Sequence, residues 1–387
     1  MASKMVKINK NCKIGIVSDT FLPQIGGAEI HINNLAKFLK KDDYSVEIFT
    51  NTPGENEVGG IKVKRNRGYG LKLFRFLKDI KNLWPFINSH DLIHAHYSFY
   101  LSFLSVLIGR VLKKPVVITL HGLGTLDSSM TNYRRKFFRY FSLKMANAII
   151  ATSDEMAEVA LRFNKKKKIF IVPNAVDTEF FKSKKSEEKS SKIIVLSMRR
   201  LNPKNGVQYL VEAIPYIVKE IREIEFLIIG KERLERYLKE RVRDLGIEKF
   251  VRFIDEIPNQ ETLDYYNRAD IIVFPSSAEF TSVACLEAMA CQKAVIASSL
   301  SAYKEMLGQS ERGILVELFD RDYSDYNAPL NLSPEKIKKL AKGIIKLSRD
   351  KDIRTNLGLK ARDFVVKEYD WKVIIKKIEK IYFNSLN

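Results

Sequence analysis

Residues 275–299 read PSSAEFTSVACLEAMACQKAVIASS, and the order of breakers, helix formers and β-rich residues in this stretch decides the fold. Just before it, the apolar run Ile271-Ile272-Val273-Phe274 stops against Pro275. A short, partly β-branched run bounded by a breaker reads as a buried parallel strand. A polar loop with Glu279 follows, then helix formers from Ala284 to Ala290 with Glu287 among them. A second β-rich run, Ala294 to Ala297, comes at once, so the stretch is strand, loop, helix, strand. In open α/β sheets, ligands bind beyond the carboxyl ends of the strands, where helix N-termini offer unpaired N–H groups. The N–H groups near Thr281 to Ala284 are expected to hold an anion, flanked by Glu279 and Glu287 to accept bonds from sugar hydroxyls.

The Glu-(seven residues)-Glu spacing, closed by Glu287-Ala288-Met289-Ala290, resembles the donor-site motif of glycosyltransferase family 4. A glutamate pair alone is a weak signal, but the strand and Pro-Ser before it and LEAMAC within it make the match specific. The resemblance implies an α/β chain of the GT-B fold: two Rossmann-like, doubly wound parallel-sheet lobes facing a central cleft. It also implies retaining sugar transfer from a nucleotide-diphosphate sugar, with no metal and no resident cofactor.

Composition is consistent with such a chain. A length of 387 residues suggests two or three domains, and 45% hydrophobic with 29% charged residues excludes a disordered chain. No run reaches the roughly 18 apolar residues a membrane-spanning helix needs. Tyr97 to Gly109 is too short, carries three serines and stops at Arg110, so it reads as a buried helix. Met1 to Lys10 shows no signal peptide, and Cys12, Cys285 and Cys291 have no metal-ligand or paired spacing. A reducing, cytoplasmic setting is expected. The formal charge of +20 comes without a nucleic-acid-binding motif. It fits anionic substrates, an anionic membrane surface or the Lys/Glu-rich habit of thermophilic chains.

Upstream, the strand Lys13 to Ser18 runs into Pro23-Gln24-Ile25-Gly26-Gly27 and an amphipathic helix with Ile30, Leu35, Phe38 and Leu39 on its apolar face. A glycine pair permits a tight turn and close backbone approach to a ligand. The resemblance assigns Gly26 and Gly27 to the donor diphosphate and the acceptor. Further strands are expected at Val46 to Thr50, Ile61 to Lys64, Asp91 to His96 and Val116 to Leu120. The last ends at His121-Gly122, which resembles the family's strand-His-Gly element, whose histidine lies by the transferred sugar. His96 ends its strand and could face the cleft, and His94 could sit on either face. A lone histidine in such a place is more often a packing residue than a ligand, and neither is assigned to the site. Residues 71–81 and 132–145 mix basic side chains with apolar and aromatic ones. Each reads either as a face for anionic lipid or as an ordinary solvated amphipathic helix.

Pro173-Asn174-Ala175-Val176-Asp177 is similar to the family's inter-domain segment, and the polar run Lys182 to Lys192 reads as a linker. The expected division is an acceptor-side domain at 1–181, a linker at 182–192 and a donor domain at 193–369. A terminal helix at 370–387 is expected to pack back on the first domain. After the linker, Arg199-Arg200-Leu201-Asn202-Pro203-Lys204-Asn205-Gly206 resembles the segment where an arginine and a lysine grip the diphosphate. Arg200 aligns with that arginine and Asn205 with the lysine, so Lys204 or Arg199 must supply the second charge. Asn202-Pro203 reads as a helix cap and first turn. Phe280 and Gln292 also depart from the family pattern.

The expected roles follow from charge. Arg200, Lys204 and Asn205 hold the diphosphate as it leaves, beside Phe280, Thr281, Ser282 and Val283. Glu279 and His121 hold sugar hydroxyls, and Glu287 the ribose. Asp320-Arg321-Asp322 spells a metal motif in the wrong context, and no metal is assigned. The expected acceptor is a glycan or a lipid-linked hydroxyl. Rival readings are a weakly active subunit serving a partner and a nucleotide-sugar 2-epimerase of the same fold.

Overall fold

The computed structural model describes residues 12–24, 26–66, 72–97, 99–121, 133–163, 168–184, 191–320 and 329–387, with backbone alone at 72–75 and 133–135. Expectations on Met1 to Lys10, Leu71, Gly122, Asn132, 185–190 of the linker and Arg321-Asp322 lie outside these residues. So do the side chains of Lys72, Arg75, Arg134 and Arg135.

The chain forms two compact units, Met1–Asn174 with Trp371–Asn387, and Ala175–Asp370. In the first unit an eight-stranded sheet runs, edge to edge, Glu57–Val58, Ile61–Arg65, Ser45–Thr50, Lys13–Ser18, Leu92–His96, Val116–Leu120, Ala148–Ala151, Ile169–Ile171. Every neighbouring pair is parallel except the first, a short hairpin. Parallel strands covered on both faces read as continuous apolar runs, and Val116–Leu120 is buried at every position. The helix Trp371–Leu386 belongs to this unit and buries Trp371, Ile374, Ile375, Ile378, Ile381 and Tyr382 along one stripe. Trp371 stacks on Phe38 with ring centroids 5.4 Å apart, and Tyr44 donates to Glu379 at 2.9 Å.

The second unit holds a fully parallel six-stranded sheet. Its order is Val251–Ile254, Ile224–Ile229, Ile193–Met198, Ile271–Phe274, Ala294–Ser298, Ile314–Val316. In chain order these are the third, second, first, fourth, fifth and sixth strands, so the winding reverses between Ile193–Met198 and Ile271–Phe274. Alternate strand residues enter separate cores. Val195, Phe226, Ile271 and Ile296 pack on one face, and Ile194, Leu196, Ile272 and Phe274 on the other.

Several boundaries differ from expectation. Val176 and Phe181 are buried in the second unit's core, so the units part at Asn174/Ala175 rather than at the polar run. The helix expected from Tyr97 begins at Tyr100, because Tyr97 sits at φ 67° and cannot start a right-handed helix. Pro203–Asn205 is a single 3-10 turn capped by Asn202, and the α-helix starts only at Val207. Gly206 interrupts the two at φ 73°. The helix Lys351–Glu368 lacks a clear sequence signature, since it buries only Gly358, Ala361 and Val365 in full. Among the described residues, no helix is long and apolar enough to cross a membrane.

Candidate active site

At the reversal of the second sheet, the loops leaving Ile193–Met198 and Ile271–Phe274 carry Arg199 and Glu279. Arg199 Nη2 donates to Glu279 Oε2 at 2.6 Å and to Asn205 Oδ1 at 3.2 Å. Its Nη1 donates to the Tyr303 hydroxyl at 2.7 Å, and the guanidinium lies 5.4 Å over the Phe274 ring. The two charged side chains are only 9% and 18% exposed, so water screens the pair weakly. Burial opposes the Arg199 charge, but Tyr303 and Glu279 outweigh it and raise its pKa beyond the ordinary range. Arg199 is therefore a fixed cation with a carboxylate already in its grasp.

The loops are locked together by backbone. Ser277 N donates to the Lys204 carbonyl at 2.8 Å, and Asn205 Nδ2 donates to the Arg200 carbonyl at 2.8 Å. A Cβ on Gly206 would lie 1.9 Å from the Pro275 carbonyl oxygen, so only glycine fits between the turn and the loop. Lys204 is half-buried, and burial lowers its pKa against the pull of Glu279. Arg200 points to the surface and is exposed.

Beyond Glu279, Phe280 N donates back to Glu279 Oε1 at 3.2 Å, and Phe280, Thr281 and Val283 are half-buried. Ser282 caps the helix Val283–Ala290, its hydroxyl accepting from Cys285 N at 3.3 Å. That bond uses one N–H of this helix start. Glu287 is buried and accepts from the Tyr266 hydroxyl at 2.9 Å. Burial raises the Glu287 pKa to about 7, against the opposing effect of that bond. Gln292 follows the helix at φ 58°, the left-handed position where glycine is at ease.

In the first unit, Gly26 caps the helix Gly27–Lys41, and a Cβ on Gly27 would meet nothing within 4 Å. Glu29 Oε1 accepts from Thr20 Oγ1 at 2.6 Å and from the Tyr97 hydroxyl at 3.4 Å. His121 follows its strand as expected, is buried, and its Nε2 lies 2.8 Å from His96 Nδ1. Burial holds both imidazoles neutral, their pKa values well below the ordinary histidine range.

The fold gathers Arg200, Lys204, Asn205, Glu279 to Val283 and Glu287 in the second unit, and Gly26, Gly27 and His121 in the first. Within the second unit, Arg199 rather than Arg200 bonds to Glu279. Both arginines follow the end of the strand Ile193–Met198, and of the two Arg199 is the one partly buried, while Arg200 is exposed. Tyr266 and Tyr303 carry no motif. Their signal is physical, since a buried tyrosine hydroxyl needs a partner and these find Glu287 and Arg199.

Two family models together match residues 25–364, "Glycosyltransferase Family 4" over residues 25–180 and "Glycosyl transferases group 1" over residues 178–364. The chain belongs to this family and is a glycosyltransferase of the GT-B fold. It is 25% identical over 319 residues to the alpha-monoglucosyldiacylglycerol synthase of Streptococcus pneumoniae, covering 74% of this chain and 70% of that one. It is 24% identical over 397 residues to the GPI3 subunit of phosphatidylinositol N-acetylglucosaminyltransferase of Saccharomyces cerevisiae, covering 96% of this chain and 82% of that one. The fold is shared with Anabaena HepE, solved in complex with UDP, at a TM-score of 0.80 and 18% identity over 96% of this chain and 99% of HepE.

Proposed function

We propose that the protein moves a hexosyl group from a nucleotide-diphosphate sugar to a hydroxyl of a glycan or lipid-linked acceptor, with retention of configuration and without a metal. The Arg199–Glu279 pair at the sheet reversal carries this reading. Breaking the sugar–phosphate bond puts negative charge on the diphosphate and positive charge on the ring. Fixed cations answer the first charge with little reorganisation, an effect worth roughly a hundredfold or more in rate for one group. Arg199, Arg200 and Lys204 serve the diphosphate beside Asn205 and residues 280–283, Glu279 the sugar hydroxyls and Glu287 the ribose. In the first unit, His121 accepts a sugar hydroxyl, and Gly26 and Gly27 leave room for backbone approach. With cations in these roles, the leaving group needs no metal. Support for a uridine donor comes from HepE, a fold neighbour solved with UDP and with UDP-glucose.

A lipid-linked acceptor agrees with the lipid-directed names of the two relatives. The first unit also exposes Leu77, Lys78, Lys81 and Trp84 along one helix and Lys136, Phe137 and Tyr140 along another. Amphipathic side chains of this kind sit well at an anionic headgroup layer, which fits a peripheral position on a cytoplasmic membrane face.

The test is a thermal-shift and hydrolysis screen over nucleotide sugars, with Glu279→Ala and Arg199→Ala alongside wild type. One donor should stabilise the protein and be hydrolysed slowly, and both variants should lose the effect. If no donor binds and the variants match wild type, transfer is refuted and a partner-assisting subunit is the better reading. Co-sedimentation with anionic and neutral vesicles at low salt tests the membrane face, with Trp84→Glu and Phe137→Glu expected to weaken anionic binding.

A further inference from the structure

We propose that His31, His96 and His121 form a binding site for one divalent transition-metal ion of the zinc class. The sequence contains 5 histidines, and His31, His94, His96 and His121 gather in the first unit. Ring centroids of His94 and His96 are 4.3 Å apart, those of His96 and His121 5.1 Å, and those of His31 and His121 5.1 Å. Three segments deliver the set: His31 from the helix Gly27–Lys41, His96 from the end of its strand, and His121 from just past the neighbouring parallel strand.

One ring nitrogen from each of His31, His96 and His121 lies within 4.8 Å of the others. These residues are 5%, 0% and 6% exposed. His31 Nδ1 and His96 Nε2 are buried and have no hydrogen-bond partner among the described residues. A buried polar atom left unpaired costs roughly 1–3 kcal/mol, so two in one cluster call for a ligand between them. His94 is not a ligand, because its nitrogens are engaged by Tyr382 OH at 2.6 Å and Thr119 Oγ1 at 2.7 Å.

The donor chemistry selects the ion. Three imidazoles without thiolate or carboxylate suit zinc with an open fourth position, and related imidazole-binding metals, whereas magnesium and calcium require oxygen. Burial keeps the rings in their neutral, ligating form, His31 at about 4. The His96 Nδ1 to His121 Nε2 bond leaves only one of these two neutral rings a lone pair to spare. Metal binding would therefore replace it, His96 ligating through Nε2 and His121 turning its Nε2 from His96 to the ion. Tetrahedral bonds of about 2.0–2.1 Å need nitrogens about 3.4 Å apart, which small ring rotations supply. Metal binding would also draw His121 from the sugar hydroxyl proposed for it, so the loaded protein should transfer more slowly. Only that last consequence rests on the proposed function.

The experiment strips the full chain with EDTA, titrates Zn2+ by calorimetry and records visible absorption with Co2+. The expected result is one ion per chain, with affinity at least tenfold weaker in His31→Gln and in His96→Gln. His90→Gln, whose ring faces Glu47 outside the cluster, should bind as wild type does. Wild type that takes up no stoichiometric ion, or cluster variants that bind as tightly as wild type, would overturn the proposal. Should those variants misfold, the wild-type Co2+ spectrum decides. The intense band of tetrahedral nitrogen-ligated cobalt supports the site, and its absence removes it. A UDP-glucose thermal shift on the stripped protein reports the donor site independently of either result.

Discussion

Arg199 and Arg200 are adjacent and chemically alike, yet the fold treats them differently. Arg199 closes a nearly dry ion pair with Glu279, while Arg200 is exposed. Arg199→Ala should cost about 3 kcal/mol in urea unfolding, since it strands a poorly solvated carboxylate, and Arg200→Ala less than about 0.5 kcal/mol. Equal losses would mean that the pair is not formed in solution. Glu287 predicts a pH signature. Its folded-state pKa of about 7 stands above the ordinary glutamate value, so the fold favours the protonated acid. Stability from this group is present at acid pH and is lost as pH rises toward about 7, then stays level. Denaturant midpoints between about pH 5 and about pH 8 should therefore fall less steeply in Glu287→Gln than in wild type. At this scale the glutamate pair was legible in the chain because its spacing is local. The choice between two arginines was not, because it depends on the path of the loop after Met198 and on Glu279, 80 residues further along the chain.

The decisive element is the turn Pro203–Asn205 with Gly206, pressed against the loop after Ile271–Phe274. Gly206 combines φ 73° with a neighbouring carbonyl where its Cβ would stand. Gly206→Ala should cost at least about 2 kcal/mol by strain and overlap together, measured by urea unfolding, and should weaken binding of whichever nucleotide sugar the donor screen identifies. An alanine variant of wild-type stability would show that the two loops are not in contact. Strands were legible as elements because buried parallel strands are apolar throughout. Helix starts were less so: Tyr97 and Gly206 break expected helices through positive φ, and only the Gly206 position has a residue type that announces it.

Across the whole molecule, residues 371–387 return to a unit formed from the start of the chain. Their helix buries six large apolar side chains, including Trp371 and Tyr382. At roughly 1.5–3 kcal/mol each, their loss is comparable to the whole usual stability of a domain, about 5–15 kcal/mol. A chain ending at Asp370 should therefore leave the second unit as the protease-resistant fragment, identified by mass spectrometry after limited trypsin digestion. Protection of the first unit in that truncated chain would refute the argument. Local pattern in the chain was enough for the α/β class, the two-part order and the glutamate motif, because each is written in contiguous residues with a period or spacing of its own. Only tertiary structure decided that Arg199 meets Glu279, that the units part at Asn174/Ala175, and that His31, His96 and His121 converge. Each of those outcomes joins segments far apart in the chain, and their meeting is set by strand order and side-chain direction, which no local window of sequence contains.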